Sequence, residues 1–255
     1  MATPAVRFAG ITKRFPGVTA LTDVAFDVVP GSCHAICGEN GAGKSTLGKI
    51  LSGLIQPDAG GIVLNGADVR FGSPRDALQA GVAMVHQELA LCENMSVAEN
   101  LCLGALPSRR AFVSRRTLRA RAGALLSAIG TTTDPSRRVA DLTVAEQQRV
   151  QIAAAVGSGA RVIVFDEPTS SLAEADALRL YALIGQLRST GVTILYVSHR
   201  MHEIFRLCDT VTVLRDGRHV ATRATTSLDE NTLVQLMIGR QLDQYFPEHV
   251  GRAPG

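Results

Sequence analysis

Short apolar runs bounded by turn residues recur along this chain of 255 residues, with longer amphipathic stretches between them. The runs predict strands, and the run at 162–165 has four consecutive apolar residues. An apolar run without alternation is typical of a strand covered on both faces, as in a parallel sheet. Further strands are predicted over 6–11, 21–29, 32–37, 62–64, 82–85, 192–197 and 208–214. The pattern therefore indicates an α/β fold.

Turn and cap residues predict where several elements begin and end. Asn-Gly and Asp-Gly pairs at 65–66 and 216–217 are typical of tight hairpins. Thr143, with Glu146 three residues later, is typical of a capping box at the start of a helix. We expect a helical subdomain over about 88–159. Helical spacing of apolar residues predicts a helix over 118–129 within this range, and two more over 46–54 and 228–238.

Composition limits the class of protein. Hydrophobic residues make up 46% and charged residues 19%, which is ordinary for a globular protein. No apolar run approaches the ~20 residues that cross a bilayer, the N-terminus has no apolar signal core, and a net charge of +3 does not indicate nucleic-acid binding. The five cysteines match no zinc or redox spacing, so we expect reduced, structural thiols, which favours the cytosol.

A glycine-rich loop at 38–46, GENGAGKST, carries the clearest chemistry. It fits the phosphate-binding pattern through Gly38, Gly43, Lys44 and Ser45. Glycines let successive amide groups turn inward around an anion, and the following helix directs its positive end at the phosphates. Lys44 adds a charge near the β- and γ-phosphates, and the Ser45 hydroxyl can bind Mg²⁺. The loop predicts a nucleotide site.

Two carboxylates and a histidine follow predicted buried strands. Asp166 and Glu167 end the strand at 162–166, where open α/β sheets bind ligands. Asp166 can hold Mg²⁺ as a hard oxygen ligand, and Glu167, pointing the other way along the strand, can accept a proton from an attacking water. His199 follows the strand at 192–197, which we expect to neighbour the Asp166 strand.

Two features allow more than one interpretation from the residues alone. Phe15, at a turn ahead of the loop, could stack on a base or belong to the core. An arginine cluster permits nucleic-acid binding, although a solvated helix face is the commoner explanation. The cluster comprises Arg109, Arg110, Arg115, Arg116, Arg119 and Arg121.

Together these motifs, in this order, resemble the ATPase domain of ABC transporters over about 6–247. The resemblance implies a P-loop NTPase fold with a mixed β-sheet core, an antiparallel β subdomain and a helical subdomain. The domain would span 1–240, followed by a linker or flexible tail at 241–255. It implies ATP and Mg²⁺ as ligands.

The resemblance also assigns roles to residues. Phe15 matches the adenine-stacking aromatic, Gln87 the Q-loop glutamine, Glu167 the general base and His199 the switch histidine. Catalysis would rest on Glu167, His199, Gln87 and Lys44, and Mg²⁺ would be held by Ser45, Gln87 and Asp166. The nucleotide-binding loop would comprise Gly38, Glu39, Asn40, Gly41, Ala42, Gly43, Lys44, Ser45 and Thr46.

The signature segment departs from the family pattern Leu-Ser-x-Gly-Gln. In the family this segment binds the γ-phosphate held by the opposing domain, which here implies Thr143, Val144, Ala145 and Glu146. Ala145 adds a methyl group where the family has glycine. Ala173 stands where the family's D-loop usually has aspartate.

These departures resemble the branch of ATPases that serves ribose, xylose and galactose importers. The similarity lies in residues 15–18, 142–148, 197–204 and 236–242. One chain in that branch usually carries two such domains, so we expect an amino-terminal half or a single-domain version.

The resemblance implies an ATP-hydrolysing subunit that powers sugar import. Its partners would be transmembrane permease subunits, contacted near 87–103, and through them a solute-binding protein, with no nucleic acid. A homodimer or a tandem second ATPase domain would complete the site, and the chain would be cytoplasmic, peripheral on the inner face of the membrane. Alternatives are a soluble ATPase acting on ribosomes and a regulatory half with weak hydrolysis. DNA-repair relatives carry coiled coils, and no sustained heptads are visible.

Overall fold

The computed structural model describes residues 3–87, 90–103, 108–109 and 112–239, and for 108–109 and 112–113 the backbone alone. The strands are β1 Val6–Phe15, β2 Val18–Val28, β3 Cys33–Cys37, β4 Ala59–Leu64, β5 Ala67–Val69, β6 Val82–Val85, β7 Ser108–Arg109, β8 Phe112–Val113, β9 Val162–Asp166, β10 Thr193–Val197, β11 Thr210–Arg215 and β12 Arg218–Ala224. The helices are α1 Lys44–Leu51, α2 Pro74–Gln79, α3 Val97–Cys102, α4 Arg115–Ala128, α5 Val144–Gly157, α6 Glu174–Ser189, α7 Met201–Leu207 and α8 Glu230–Ile238.

The larger sheet sets the position of the site. Its strand order is β12-β11-β3-β10-β9-β6, and β10 lies parallel to both β3 and β9. All residues of β3, β9 and β10 are buried, as the unbroken apolar run at 162–165 predicts. Because these strands are parallel, the segments that follow them meet at one edge of the sheet.

A smaller antiparallel sheet, of order β2-β1-β4-β5, covers the other side of α1. Leu47 and Leu51 of α1 share one apolar cluster with Phe8 and Leu21 of this sheet and with Val164 of the larger one. Full burial of such a leucine contributes about 2 kcal/mol of free energy of unfolding. The helix that follows the glycine-rich loop is therefore fixed between two sheets.

Helices α3, α4 and α5 pack on one another through small apolar residues. Ala98, Cys102, Leu118 and Ala122 form a separate buried cluster between α3 and α4. On α4 the arginines at 115, 116, 119 and 121 are exposed, as expected for a solvated face. The extent of a helical subdomain over about 88–159 stays a prediction.

Several details differ from the sequence predictions. Helix α1 begins at Lys44 rather than at residue 46, because Gly43 already serves as its N-cap with φ +96°. The helix ends at Leu51 rather than 54, just before Gly53 at φ +72°. Strands β1 and β2 extend beyond the predicted 6–11 and 21–29 into a long hairpin, whose register shifts occur where its alternation breaks. The predicted tail at 241–255 and Arg110 lie outside the described residues.

Two further predictions concern the whole chain. The five cysteines are free thiols, four of them buried and Cys92 exposed. In the described ranges, every helix is too short or too polar to cross a bilayer.

Candidate functional site

The loop between β3 and α1 has a shape that only glycine allows at two positions. A Cβ atom added to Gly38 would lie 2.2 Å from the carbonyl oxygen of Leu214. At Gly43 it would lie 2.6 Å from the carbonyl oxygen of Ala20 and 2.5 Å from Cδ2 of Leu21. Real Cβ atoms do not approach backbone oxygens so closely, so the loop depends on these glycines. The loop is therefore packed directly against β2 and β11.

Lys44 places a buried cation inside this loop. Its Nζ donates hydrogen bonds to the carbonyl oxygens of Gly38, at 2.9 Å, and Glu39, at 3.0 Å. Burial lowers the pKa of Lys44, and the charge of Glu167, Cys37 and Asp166 opposes that shift. Helix α1 has no side-chain cap, so its first amide groups point from the loop without an acceptor from the cap residue. Both features favour an anion at this place.

Asp166 and Ser45 form a pair of hard oxygen ligands beside the loop. The Ser45 hydroxyl donates to Oδ1 of Asp166 at 2.9 Å, although the two residues are distant in sequence. Burial raises the pKa of Asp166, and the nearby Glu167 adds to the shift, while Ser45, Lys49 and His86 oppose it. Mg²⁺ is typically held by one or two protein oxygens together with phosphate oxygens and water. A desolvated carboxylate and a hydroxyl at this spacing fit that ion.

Glu167 and His199 meet across the ends of β9 and β10. Nδ1 of His199 lies 3.1 Å from Oε1 of Glu167. Strand β9 ends at Asp166, and Glu167 has φ +45°, so the direction of the Glu167 side chain does not follow from alternation along the strand, as the sequence prediction assumed. The left-handed backbone, with its amide donating to the Val197 carbonyl at 3.0 Å, places the carboxylate beside β10 instead. The prediction that the strands preceding Glu167 and His199 are neighbours is confirmed, because β9 and β10 are paired in parallel.

Gln87 and Phe15 lie on the surface. Gln87 is exposed two residues after β6, which pairs with β9. Phe15 is 39% exposed at the turn of the β1–β2 hairpin, and Nζ of Lys13 lies 5.5 Å from its ring centroid. Because β2 packs on Gly43, this hairpin brings an exposed ring towards the phosphate loop. An exposed ring can stack on a base, whereas a core phenylalanine would be buried.

The residues at the start of α5 form the predicted capping box. The Thr143 side chain accepts from the amide of Glu146, and the Glu146 carboxylate accepts from the amide of Thr143 at 2.8 Å. Glu146 also pairs with Arg137 at 2.9 Å, and Val144 is 47% exposed. In the described residues, no hydrogen bond or ion pair of Thr143 or Glu146 reaches the phosphate loop. The side chains at this helix start are therefore engaged with each other and with Arg137.

Two buried polar residues escape motif reasoning. Gln151 is buried on α5, and with its amide turned to satisfy both atoms it bonds to the backbone N–H and C=O of His86, at 3.3 and 3.2 Å. Glu203 is fully buried on α7 and accepts four hydroxyl hydrogen bonds. A polar residue on the buried face of a helix is the only signal that the sequence offers for either one.

The chain matches one family of protein domains, described as ABC transporter, over residues 21–170. The crystal structure of a nucleotide-free ATP-binding cassette from an ABC transporter has a TM-score of 0.79 to this chain at 22% identity. It covers 96% of this chain and 100% of that chain. The likeness confirms the predicted fold class, with the sheets and helices described above.

Two relatives are similar over nearly the whole chain. Ribose import ATP-binding protein RbsA 3 of Rubrobacter xylanophilus is 50% identical over 245 residues, which cover 96% of this chain and 50% of that protein. Arabinose import ATP-binding protein AraG of Chromohalobacter salexigens is 47% identical over 251 residues, again 96% of this chain and 50% of the relative. The chain spans about half the length of these relatives.

Proposed function

This chain belongs to the ABC transporter family, and from that premise we propose that it binds and hydrolyses ATP to power import of a sugar through a membrane permease. One observation carries the proposal. The phosphate loop, the two oxygen ligands suited to Mg²⁺ (from Ser45 and Asp166) and the Glu167–His199 pair lie together at one edge of the sheet. The distances are 2.9 Å from Ser45 to Asp166 and 3.1 Å from His199 to Glu167.

The loop residues bind and orient the nucleotide. Lys44 and the amide groups of residues 38–46 hold the β- and γ-phosphates, and Phe15 stacks on the adenine. The oxygens of Ser45, Asp166 and Gln87 hold Mg²⁺, which when bound neutralises charge on the phosphates. Positioning and electrostatics supply most of the catalysis in phosphoryl transfer, and a fixed loop of glycines supplies both.

The carboxylate of Glu167 activates the attacking water. It accepts a proton from that water as the water oxygen bonds to the γ-phosphorus. The bond between the γ-phosphorus and the oxygen that bridges to the β-phosphate breaks, and ADP and inorganic phosphate leave. His199, which lies within hydrogen-bonding distance of Glu167, orients the carboxylate and contacts the γ-phosphate. Each of these groups already stands at the end of its strand.

The site is completed by a second ATPase domain. The exposed start of α5, at Thr143, Val144, Ala145 and Glu146, presents helix amides to the γ-phosphate bound by the partner. That partner is a second copy of this chain or a second ATPase domain in tandem, and the two domains pair head to tail.

A groove near the Gln87 segment offers a surface for the permease. It encloses about 290 Å³, and Leu54, Leu78 and Leu103 are exposed along it. Exposed leucines rimmed by polar residues mark protein-binding sites. Docking there places the chain on the inner face of the membrane. A solute-binding protein is then linked to this chain only through the permease. The names of the relatives point to ribose or arabinose as the type of cargo.

The test of hydrolysis is phosphate release from ATP by the purified chain, with EDTA as the control. Mg²⁺-dependent release is expected. Release that persists without the metal contradicts the assigned chemistry. Tight binding without release identifies a regulatory domain instead.

The test of the partner is co-purification from membranes solubilised in mild detergent. We expect a multi-spanning permease to be recovered with the wild-type chain and to be lost with Leu78→Asp, a surface change in the groove. Recovery of ribosomes would identify a translation factor and overturn the transport role.

A further inference from the structure

We propose that Glu203 is a positioning residue, whose buried carboxylate holds the two catalytic segments after β9 and β10 in register. The inference rests on the proposed function and deepens it. Glu203 lies outside the phosphate loop, and it is not among the residues assigned above to bind the nucleotide or Mg²⁺.

Four hydroxyl groups donate to the Glu203 carboxylate. Oε1 accepts from Thr169, at 2.5 Å, and from Tyr181, at 3.2 Å. Oε2 accepts from Tyr196, at 2.9 Å, and from Ser198, at 2.8 Å. Glu203 is 0% exposed, so these four bonds replace its hydration. A buried carboxylate with two donors on each oxygen is a satisfied network, and such networks fix one arrangement of their members.

The hydrogen bonds to the Glu203 carboxylate come from neutral hydroxyl groups, and one cation lies beside them at a longer distance. Among the described residues, Nη1 of Arg200 forms an ion pair with Oε1 of Glu203 at 3.7 Å, and the imidazole Nε2 of His202 lies 4.0 Å from the same oxygen. Burial raises the pKa of Tyr181 to about 12 and raises that of Tyr196 further, so both phenols stay protonated as donors. The carboxylate therefore depends on hydroxyl groups whose positions it also fixes.

Two of the donors belong to the catalytic segments. Thr169 follows Glu167 by two residues, and Ser198 directly precedes His199. The Ser198 oxygen also accepts from the amide of Arg200 at 3.0 Å, which fixes the backbone on the other side of His199. One carboxylate thus binds both segments next to the 3.1 Å contact between Glu167 and His199.

The other two donors belong to scaffold elements. Tyr181 lies on α6 and Tyr196 within β10, and both are buried in the core. Glu203 itself lies on the first turn of α7. The network therefore ties the segments that carry Glu167 and His199 to a rigid helix and strand, which is what a second layer of contacts supplies to a reactive pair.

Matched variants separate positioning from mere stability. Thr169→Val and Tyr181→Phe each remove one donor from the same oxygen, Oε1, with little change of shape, but only Thr169 lies in a catalytic segment. Ser198→Ala tests the other oxygen. We expect Thr169→Val and Ser198→Ala to lower kcat about tenfold, because small displacements of reacting groups are costly. Their KM for ATP stays near the wild-type value, because the phosphate loop is outside the network.

Tyr181→Phe is the control. It should lower the melting temperature about as much as Thr169→Val does and leave kcat near wild type. A second measurement uses a double variant: Ser198→Ala added to His199→Ala should lower kcat no further than His199→Ala alone, because both changes act on the same contact.

The outcomes are distinct. If the wild-type chain hydrolyses ATP and the Thr169, Ser198 and Tyr181 variants lose the same share of kcat, or if Thr169→Val and Ser198→Ala raise KM instead, Glu203 is structural only. Additive losses in the double variant also overturn the positioning role. If the wild-type chain releases no phosphate, the proposed function fails, and the positioning role falls with it.

Discussion

The Lys44 ammonium group donates to two carbonyl oxygens of its own loop, and among the described residues it forms no ion pair with a carboxylate. A buried cation arranged in this way is available to phosphate oxygens. Lys44→Ala should weaken ATP binding about 10- to 100-fold, the usual worth of a hydrogen bond to a charged group. A titration with a fluorescent ATP analogue measures it. Lys49→Ala, an exposed lysine on the same helix, is the control and should bind normally.

We expect Glu167 to contribute to turnover rather than to ATP binding. Glu167→Gln keeps the size and polarity of the side chain but removes the proton acceptor. We expect phosphate release to fall by about 10²- to 10⁴-fold, the typical contribution of general-base catalysis. The affinity for ATP, measured by the same titration, should stay close to the wild-type value. Near-normal hydrolysis in Glu167→Gln would remove Glu167 from the role of base.

Single residues of the site were predictable where local spacing fixes them. Lys44 and Ser45 follow Gly43 within one loop, and Asp166 ends an apolar run, so the sequence alone identifies them. Glu203 was not identified in this way, because its partners come from three other segments, and Thr169 lies 34 residues away. No local spacing encodes a carboxylate that is defined by tertiary contacts.

The turn between β3 and α1 gives a direct test of loop geometry. Gly43→Ala adds a methyl group 2.6 Å from the Ala20 carbonyl at a residue with φ +96°. Neither backbone can yield, so we expect a loss of at least about 2 kcal/mol in free energy of unfolding. Urea unfolding measures it.

A glycine in an open place is the matched control for that substitution. Gly185→Ala lies within α6, with nothing within 4 Å of the added atom. It should stabilise the protein by roughly 0.5–1 kcal/mol, because alanine restricts the unfolded chain and favours the helix. Equal destabilisation at both positions would contradict the close packing at Gly43.

Element types followed from the sequence more faithfully than element ends. The unbroken apolar runs of β9 and β10 predict buried parallel strands, which the register of Asp166 beside Val197 confirms. The prediction began α1 at residue 46, two residues after its actual start at Lys44. The start depends on the left-handed Gly43 cap, which in turn depends on packing against β2. Hydrophobic periodicity reports which face is buried and carries no information about such caps.

His34 makes the stability of the β3–β11 region dependent on pH. It is fully buried, its Nε2 lies 2.7 Å from the Thr212 hydroxyl, and Nδ1 has no partner in the described residues. Burial, with a smaller effect of the nearby His219, lowers the pKa of His34 to about 4. The unfolded chain binds a proton below pH ~6.5, and the folded chain does not until about pH 4. Stability is therefore lost as the pH falls through that window.

The size of this effect can be isolated with a variant that does not titrate. Integrated over the window, the shift corresponds to a loss on the order of 3 kcal/mol. His34→Gln keeps a group for Thr212 but cannot be protonated. We expect urea midpoints of the wild type to fall more steeply between pH 6.5 and 4 than those of His34→Gln. Carboxylates that titrate in the same range affect both proteins equally, so the difference between the two slopes reports His34 alone. His219→Gln should keep most of the wild-type slope, and identical slopes in wild type and His34→Gln would refute the buried neutral imidazole.

At the scale of the whole chain, the phosphate loop and the start of α5, the two half-sites of the proposed pair, form no hydrogen bond or ion pair with each other among the described residues. The phosphate loop, Asp166 and Glu167 lie at the edge of the larger sheet, whereas the side chains at the start of α5 bond, within the described ranges, to each other and to residues 137–141. We expect the γ-phosphate of a nucleotide bound by the loop to be contacted by the helix start of a second domain as well. A head-to-tail pair satisfies both half-sites twice, which is the symmetry expected of a closed dimer.

The pair should therefore form only when ATP is bound and cannot be cleaved. With Glu167→Gln we expect light scattering to show a monomer without nucleotide and a dimer with Mg²⁺-ATP, because binding free energy shifts the population towards the closed pair. Adding Lys44→Ala should raise the ATP concentration needed for the dimer by about 10- to 100-fold, because it weakens nucleotide binding by that factor. Thr143→Arg should abolish the dimer while ATP binding persists, since it places a large cation at the exposed helix start. A strictly monomeric Glu167→Gln protein at high concentration would count against the head-to-tail pair. A dimer that survives Thr143→Arg would place the contact elsewhere on the surface.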